Sequence, residues 1–327
     1  MSKYNDTIYA LSSPQGKSAI AIIRVSGKDA LKALKKITSI KKIKTNKANL
    51  LFLKHKKTHI DQVVVIYYKA PKSFTGEDVV EINCHGGIAV VTKISKTFEM
   101  LGLRLADPGE FTKRALLNNK LDLVKTESIS DIINAETEKQ RELAIKNLYG
   151  GLSQFTTEVN KKIAEVLANV EALIDFSDED LPKGTINKIK EQNKNIIKKI
   201  QIELKNAEIS KPIISGINIA IVGKPNAGKS SFINFISKKD ISIVTDIPGT
   251  TTDTVSSSID IEGFKFTFID TAGLRKHKNK IEKIGIQKTK EIIEKSDINL
   301  VFLEKNEKNK YSKIHNKLFI RSKSDKR

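Results

Sequence analysis

Apolar and polar positions change rhythm twice along the 327-residue chain. Short apolar runs come first, at Ala19–Val25, Val63–Tyr68 and Val79–Ile82, separated by turns and by helix-like periodic stretches. That alternation predicts a small α+β domain over residues 1–120. From about residue 121 the spacing becomes helical. Phe155, Val159, Ile163, Val166, Val170 and Leu173 recur every three or four residues, and Ile186, Ile189, Asn193, Ile196, Ile200 and Leu204 form a second stripe. The link DFSDEDLPKG between them is acidic and turn-forming, so residues 121–211 read as two long amphipathic helices whose stripes are core positions.

Beyond Ile217 strand and helix signals alternate. Ile217–Val222 is an apolar strand, and Phe232–Ile236 lies in the helix that follows. Val255–Ile261 and Phe264–Ile269 form a hairpin about Glu262-Gly263, and Ile298–Leu303 is another buried strand. Residues 212–327 therefore predict a mainly parallel, doubly wound α/β sheet.

Charge follows the same three segments. Residues 1–120 carry 22 basic and 9 acidic side chains, residues 121–211 carry 14 and 16, and residues 212–327 carry 22 and 13. The net charge of +20 points to a polyanionic partner. The 51 lysines against 7 arginines temper that reading, because bidentate phosphate recognition favours arginine. A single cysteine, Cys84, excludes an intramolecular disulfide framework. No apolar run approaches the roughly 20 residues that span a bilayer, and the N-terminus lacks the form of a secretion signal. The expectation is a cytoplasmic protein without a membrane partner.

One motif carries chemistry unaided. Gly223-Lys224-Pro225-Asn226-Ala227-Gly228-Lys229-Ser230 fits G-x-x-x-x-G-K-[ST] at every fixed position, directly after a strand. Glycines let backbone N–H groups converge on phosphate oxygens at a helix N-terminus, Lys229 adds a point charge, and the Ser230 hydroxyl suits Mg²⁺. Asp270-Thr271-Ala272-Gly273 stands 47 residues past Gly223, at the end of an apolar strand. A carboxylate there can hold Mg²⁺ through water, and the glycine lets a loop respond to a γ-phosphate. Between them, Thr245-Asp246-Ile247-Pro248-Gly249-Thr250-Thr251-Thr252-Asp253 is a hydroxyl-rich switch loop. Together these three motifs indicate a GTPase.

At this point the chain resembles the MnmE (TrmE) family of tRNA-modification GTPases along nearly its whole length. The strings that carry the resemblance are DTIYALSSPQGKSAIAIIRVSG, SFTGEDVVEINCHGG, LADPGEFTKRALLNNKLDLVKTESISDIINA and VEALIDFSDED, with the GTPase motifs. The resemblance implies a folate-binding and dimerising domain over residues 1–120, the first half of a helical domain over 121–211, and a P-loop GTPase domain over 212–327. It implies a homodimer that acts with a flavoprotein partner, MnmG (GidA), in a heterotetramer. The substrate is the wobble uridine of tRNA, modified at C5, and a 5,10-methylene- or 5-formyl-tetrahydrofolate supplies the one-carbon unit.

Carried over by motif, Arg24, Glu81 and Lys120 are folate contacts; an internal salt bridge is the other reading of Arg24 and Glu81. Nucleotide contacts are Asn226, Ala227, Gly228, Lys229, Ser230, Ser231, residues Thr245 to Thr251 (Asp246, Ile247, Pro248, Gly249 and Thr250 among them), Asp270, Thr271, Ala272 and Gly273. Ser230 and Thr251 match Mg²⁺ ligands. Asn226, Thr245, Ile247 and Thr250 match ligands of a K⁺ ion that replaces an arginine finger. Glu282 matches the acidic residue that positions the attacking water, with Lys229 as its catalytic partner; read without the family, Glu282 is half of an exposed helical pair with Lys278 or Lys283. Cys84 and His85 read as a packed thiol and a satisfied imidazole, with no acidic residue in their own motif to orient the histidine.

Four departures bear on this picture. Pro248 replaces a small residue, Thr252 replaces an arginine, and Ser322 stands where N-K-x-D has asparagine, leaving Lys323 and Asp325 to read guanine. The fifth nucleotide motif, a sixth strand, the returning helices and a C-x-G-K tail do not occur, so the chain reads as C-terminally truncated. The alternative is a non-catalytic remnant that dimerises and binds folate but hydrolyses GTP poorly.

Overall fold

A computed structural model describes residues 6–56, 58–175, 184–224, 227–238, 243–244, 256–270, 281–303 and 311–321. The chain forms two compact units, Met1–Glu127 and Ser128–Arg327.

The first unit is a six-stranded sheet with two of its helices packed on one face. Its elements are β1 (Ile8–Leu11), β2 (Ser18–Ser26), α1 (Ala30–Ile37), β3 (Ala48–His55), β4 (Thr58–Tyr68), β5 (Val79–Gly86), α2 (Ile88–Met100), β6 (Arg104–Leu105) and α3 (Glu110–Leu117). The order is β3-β4-β5-β2-β1-β6, and every pairing is antiparallel except β1 with β6. The period of two in a strand explains the one-sided core. Ala21, Ile23 and Val25, Val63, Val65 and Tyr67, and Val80, Ile82 and Cys84 all point inward. They meet Ala33, Leu34 and Ile37 of α1 and Ile94 and Phe98 of α2. The intervening residues face the other way, so Ile66, Glu81 and Arg24 stand side by side across three strands.

The second unit begins with helices: α4 (Leu123–Asn134, entering from the first unit), α5 (Glu138–Leu148), α6 (Gly151–Asp175) and α7 (Thr185–Ser215). A capping box fixes the start of α5: the Thr137 hydroxyl accepts from Gln140 N at 3.4 Å, and Thr137 N donates to the Gln140 side chain at 3.2 Å. Helices α6 and α7 pack through Val159, Val166, Ile189 and Ile196, with Phe155, Val170, Leu173 and Ile200 alongside. The stripes are wider than this contact. Ile163, Ile186 and Leu204, expected as core, are 46%, 57% and 63% exposed. A two-helix seam takes residues seven apart and leaves the flank of a broad stripe in water.

A second six-stranded sheet follows, with β7 (Ile217–Gly223), α8 (Lys229–Lys238), β8 (Ile243–Val244), β9 (Ser256–Ile261), β10 (Phe264–Asp270), α9 (Ile281–Lys295), β11 (Ile298–Leu303) and β12 (Lys317–Arg321). The order is β12-β11-β7-β10-β9-β8. Strands β12, β11, β7 and β10 are parallel neighbours, while β9 and β8 run antiparallel to theirs. The β9–β10 turn has positive φ at both Glu262 (54°) and Gly263 (84°), which suits the strand twist. Alternation along β7 sends Ile219 and Ile221 to the face carrying Phe232, Ile233 and Ile236 of α8. Ala220 and Val222 go to the face carrying Ile292 and Ile293 of α9.

Candidate functional site

Strand β7 is central, with β10 on one side and β11 on the other. Parallel strands bring their C-terminal ends to one edge, the usual ligand position in such sheets. Gly223 ends β7 with φ 152°, and a Cβ there would lie 2.8 Å from the Phe302 carbonyl oxygen. Only glycine lets the chain leave β7 so close to β11. Ala227 is fully buried and Gly228 has φ 89°, and helix α8 starts at Lys229.

Lys229 is 4% exposed, and its Nζ donates to the Gly223 carbonyl at 3.0 Å and the Lys224 carbonyl at 2.6 Å. The ammonium thus sits inside the turn, beside the N-terminus of α8, where two positive features converge on the space an anion would take. Asp270 ends β10 level with Ile221 of β7, so its carboxylate belongs to the same strand-end edge. Ser230 and Ser231 lie in the first turn of α8, and Glu282 in the first turn of α9. The predicted residues Asn226, Thr245 to Thr251, Thr271, Ala272, Gly273, Lys323 and Asp325 lie outside those described.

In the first unit, Arg24 and Glu81 are directly opposed on β2 and β5. The guanidinium donates to Glu81 Oε1 through Nη2 at 2.7 Å and Nε at 2.9 Å. The internal salt bridge is therefore present. Two rings flank it: Arg24 Cζ is 5.4 Å from the Phe74 centroid and 5.6 Å from the Phe111 centroid. Burial, then the Glu81 charge, raises the Tyr68 hydroxyl above its ordinary range. Lys120 turns elsewhere, its Nζ donating to the Pro71 carbonyl at 3.0 Å, in the loop that also carries Phe74.

That loop is held by a buried network that sequence reasoning missed. Arg114 is fully buried. It donates to Asp6 Oδ1 at 2.7 Å, to Glu110 Oε1 at 2.9 and 3.2 Å, and to Glu77 Oε2 at 3.2 Å. Glu77 also accepts from the Ser26 hydroxyl at 2.7 Å, and Arg104 pairs with Glu110 and Asp6 at 2.6 and 2.8 Å. Burial alone would raise the Glu110 carboxyl, but hydrogen bonds from Arg104, the Asp107 backbone and Arg114 outweigh it and hold it at about 2. The i, i+4 spacing of Glu110 and Arg114 was the one visible signal.

The NCHGG segment is as expected, a packed thiol and a satisfied imidazole, and the structure adds the partner that satisfies the ring. Cys84 is packed as expected, its thiol pushed up to about 11 by burial and then by the Asp61 charge. His85 does have an orienting acid, from the neighbouring strand: Asp61 accepts from the His85 backbone at 2.8 Å and meets its Nδ1 at 2.7 Å.

Comparison with known proteins agrees with both units. Residues 7–120 match the family model described as GTP-binding protein TrmE N-terminus, and residues 123–321 match that of the MnmE helical domain. The protein named tRNA modification GTPase MnmE in Thermotoga maritima is 43% identical over 301 residues, covering 91% of this chain and 66% of the relative. Its namesake in Lactobacillus acidophilus is 40% identical over 304 residues, again covering 91% of this chain and 66% of the relative. The chain thus spans just under two thirds of the length of these relatives. With models matching on both sides of residue 121 and identities of 40% or more, the chain belongs to the MnmE family.

Proposed function

We propose that this protein hydrolyses GTP in the service of tRNA modification, as the names of its relatives say of them. The observation that supports this best is Lys229, buried at the start of α8 and bonded back to the Gly223 and Lys224 carbonyls, with Asp270 on the adjoining strand end. A triphosphate entering the turn exchanges the carbonyl partners of Lys229 for β- and γ-phosphate oxygens, while the N–H groups at the start of α8 take the remaining charge. The chemistry suits a phosphate, because Lys229 and the N–H groups at the start of α8 carry positive charge, and Asp270 at the same strand-end edge would help hold Mg²⁺.

Ser230 and Thr251 would hold Mg²⁺, which neutralises developing charge on the phosphates. Glu282, in the first turn of α9, would orient the attacking water rather than supply base strength. Asn226, Thr245, Ile247 and Thr250, all outside the described residues, would hold K⁺, whose charge would take the place of an arginine finger. Guanine selection falls to Lys323 and Asp325, weakened by Ser322.

For the first unit we propose a tetrahydrofolate site at Arg24, Glu81 and Lys120, in a homodimer working with an MnmG-type flavoprotein at C5 of the wobble uridine. Such a ligand, when bound, supplies a one-carbon unit. The residues suit it: Glu81 accepts from ring N–H groups, Arg24 donates to a carboxylate, and Phe74 and Phe111 offer faces for a flat ring. The three-part division at residues 120 and 211 belongs to this proposal.

The test is phosphate release from GTP by the intact chain in KCl and in NaCl, beside Lys229→Ala and Asp270→Ala. Turnover that is higher in KCl and lost in both variants is expected. Equal turnover in the Lys229→Ala variant, or ATP competing as well as GTP, would overturn the reading.

A further inference from the structure

A lysine-rich segment of the first unit lies apart from Arg24 and Glu81, which face the other side of the sheet from α1. Between residues 28 and 47 there are eight lysines and one acid, Asp29. Composition bias does not explain this. Residues 121–211 are also rich in lysine, yet carry 14 basic and 16 acidic side chains.

The fold turns the segment into a surface. Helix α1 buries Ala30, Ala33, Leu34 and Ile37 against the sheet and leaves Lys28, Lys32, Lys35 and Lys36 exposed at its start and along its outer side. These four line an open groove of about 460 Å³, with Leu31 and Asp78. Lys28, Lys32 and Lys36 also line an adjoining groove of about 300 Å³ that reaches Leu103. Lys41, Lys42, Lys44 and Lys47 continue the charge, all exposed.

The acids nearby are engaged. Asp6 pairs with Arg104 and Arg114, and Asp78 accepts from the Ala70 backbone at 2.9 Å. Among the described residues, the one ion pair made by these lysines is Lys32 with Asp29 at 3.7 Å. Lys35 and Lys36, in the last turn of α1, complement its dipole, but that accounts for two charges of eight.

We infer that α1 and the segment after it form a docking surface for an RNA phosphodiester backbone, here tRNA, resting on the tRNA reading above. Lys32 and Lys36 are one helical turn apart, about 6 Å along the axis, which is the scale of successive phosphates on a strand. A concave, lysine-walled groove neutralises a backbone without reading bases, so it positions tRNA and leaves specificity to other contacts. A membrane surface fits worse. No large apolar side chain between residues 28 and 47 is among those exposed, and interfacial helices need an apolar face to insert.

The experiment measures binding of the full chain to unmodified tRNA across a KCl series. The variant Lys28/Lys32/Lys35/Lys36→Gln is compared with a charge-matched control, Lys188/Lys190/Lys194/Lys198→Gln, on the exposed side of α7. Hydrogen exchange of β5 and GTP binding confirm that both variants fold. The α1 variant is expected to bind at least about tenfold more weakly near 100 mM KCl and to lose about 3 from the slope of log affinity against log salt. The control should stay within about twofold.

Equal losses in the two variants overturn the inference, since bulk charge would then suffice. So does unchanged tRNA binding by the α1 variant, which leaves the tRNA reading standing. A wild-type chain that turns over GTP but binds no tRNA overturns both. Binding of anionic phosphatidylserine vesicles that is lost in the α1 variant while tRNA binding persists reassigns the surface to lipid.

Discussion

Replacing Arg114 by methionine is the sharpest test of what holds the first unit together. The guanidinium is fully buried and bonded to Asp6, Glu77 and Glu110, the last two 4% and 5% exposed. Methionine fills similar space and donates nothing, so two buried carboxylates lose a cationic partner. Breaking one side of a buried ion network costs about 3–5 kcal/mol. The pH dependence separates this from simple repacking. Glu110 titrates at about 2 in the fold against an ordinary 4.5, a difference worth about 3 kcal/mol. A depressed carboxyl contributes stability above its unfolded value and loses it as pH falls toward its folded value. Arg104 supplies the largest share of the depression and Arg114 a smaller one, so the variant keeps part of it. The cost of Arg114→Met should therefore be smaller at pH 3 than at pH 7.

Urea titration read by pulsed hydrogen exchange of the β5 amides reports this unit alone. Arg114→Lys, which keeps the charge and loses the fork, should fall between wild type and Arg114→Met. A cost below about 1 kcal/mol at pH 7, or the same cost at pH 3, would refute the reasoning.

Gly223→Ala should weaken nucleotide binding and destabilise the second unit by about 1–3 kcal/mol, read by calorimetry, because φ is 152° and the Phe302 carbonyl is 2.8 Å from the new Cβ. Cys84, with its thiol at about 11 and its side chain buried, should resist iodoacetamide at pH 8 until the protein is unfolded; stoichiometric labelling of native protein would contradict the packing. Lys139 Nζ lies 3.6 Å from the centroid of the Phe264 ring at the β9–β10 turn. A double-mutant cycle of Lys139→Ala with Phe264→Leu should give a coupling of about 0.5–2 kcal/mol in urea unfolding, and additivity would remove the cation–π contact from the account.

Local patterns were legible and distant partnerships were not. The apolar runs at Ala19–Val25, Val63–Tyr68, Val79–Ile82, Ile217–Val222, Phe264–Ile269 and Ile298–Leu303 all fall within strands, since a continuous or alternating run states its own period. Strand β3 escaped notice because it is an edge strand with Leu50 and Phe52 more than half exposed, so its pattern does not sort inside from outside. The P-loop was readable because its chemistry sits in eight consecutive residues. Arg114 was not, because its partners Asp6 and Glu77 lie 108 and 37 positions away. The same distance rule hid Asp61 from His85, 24 residues on. The helical stripes were over-read for a different reason: a periodic apolar face states that something covers it, not how wide the cover is.

Arg24 and Glu81 show how two readings of one pair meet. The sequence admits a salt bridge or a ligand site, and the bridge is present at 2.7 Å, with side chains 26% and 21% exposed. A partly solvated pair of this kind contributes about 1 kcal/mol or less. A ligand carboxylate that recruits Arg24, or an N–H that recruits Glu81, therefore displaces little. The Phe74 and Phe111 rings stay where they are, because the Arg114 network holds the loop between Pro71 and Asp78 and the helix that carries Phe111. The buried network and the exposed pair divide the work: one supplies a rigid frame at a cost in desolvation, and the other leaves two charges cheap enough to exchange.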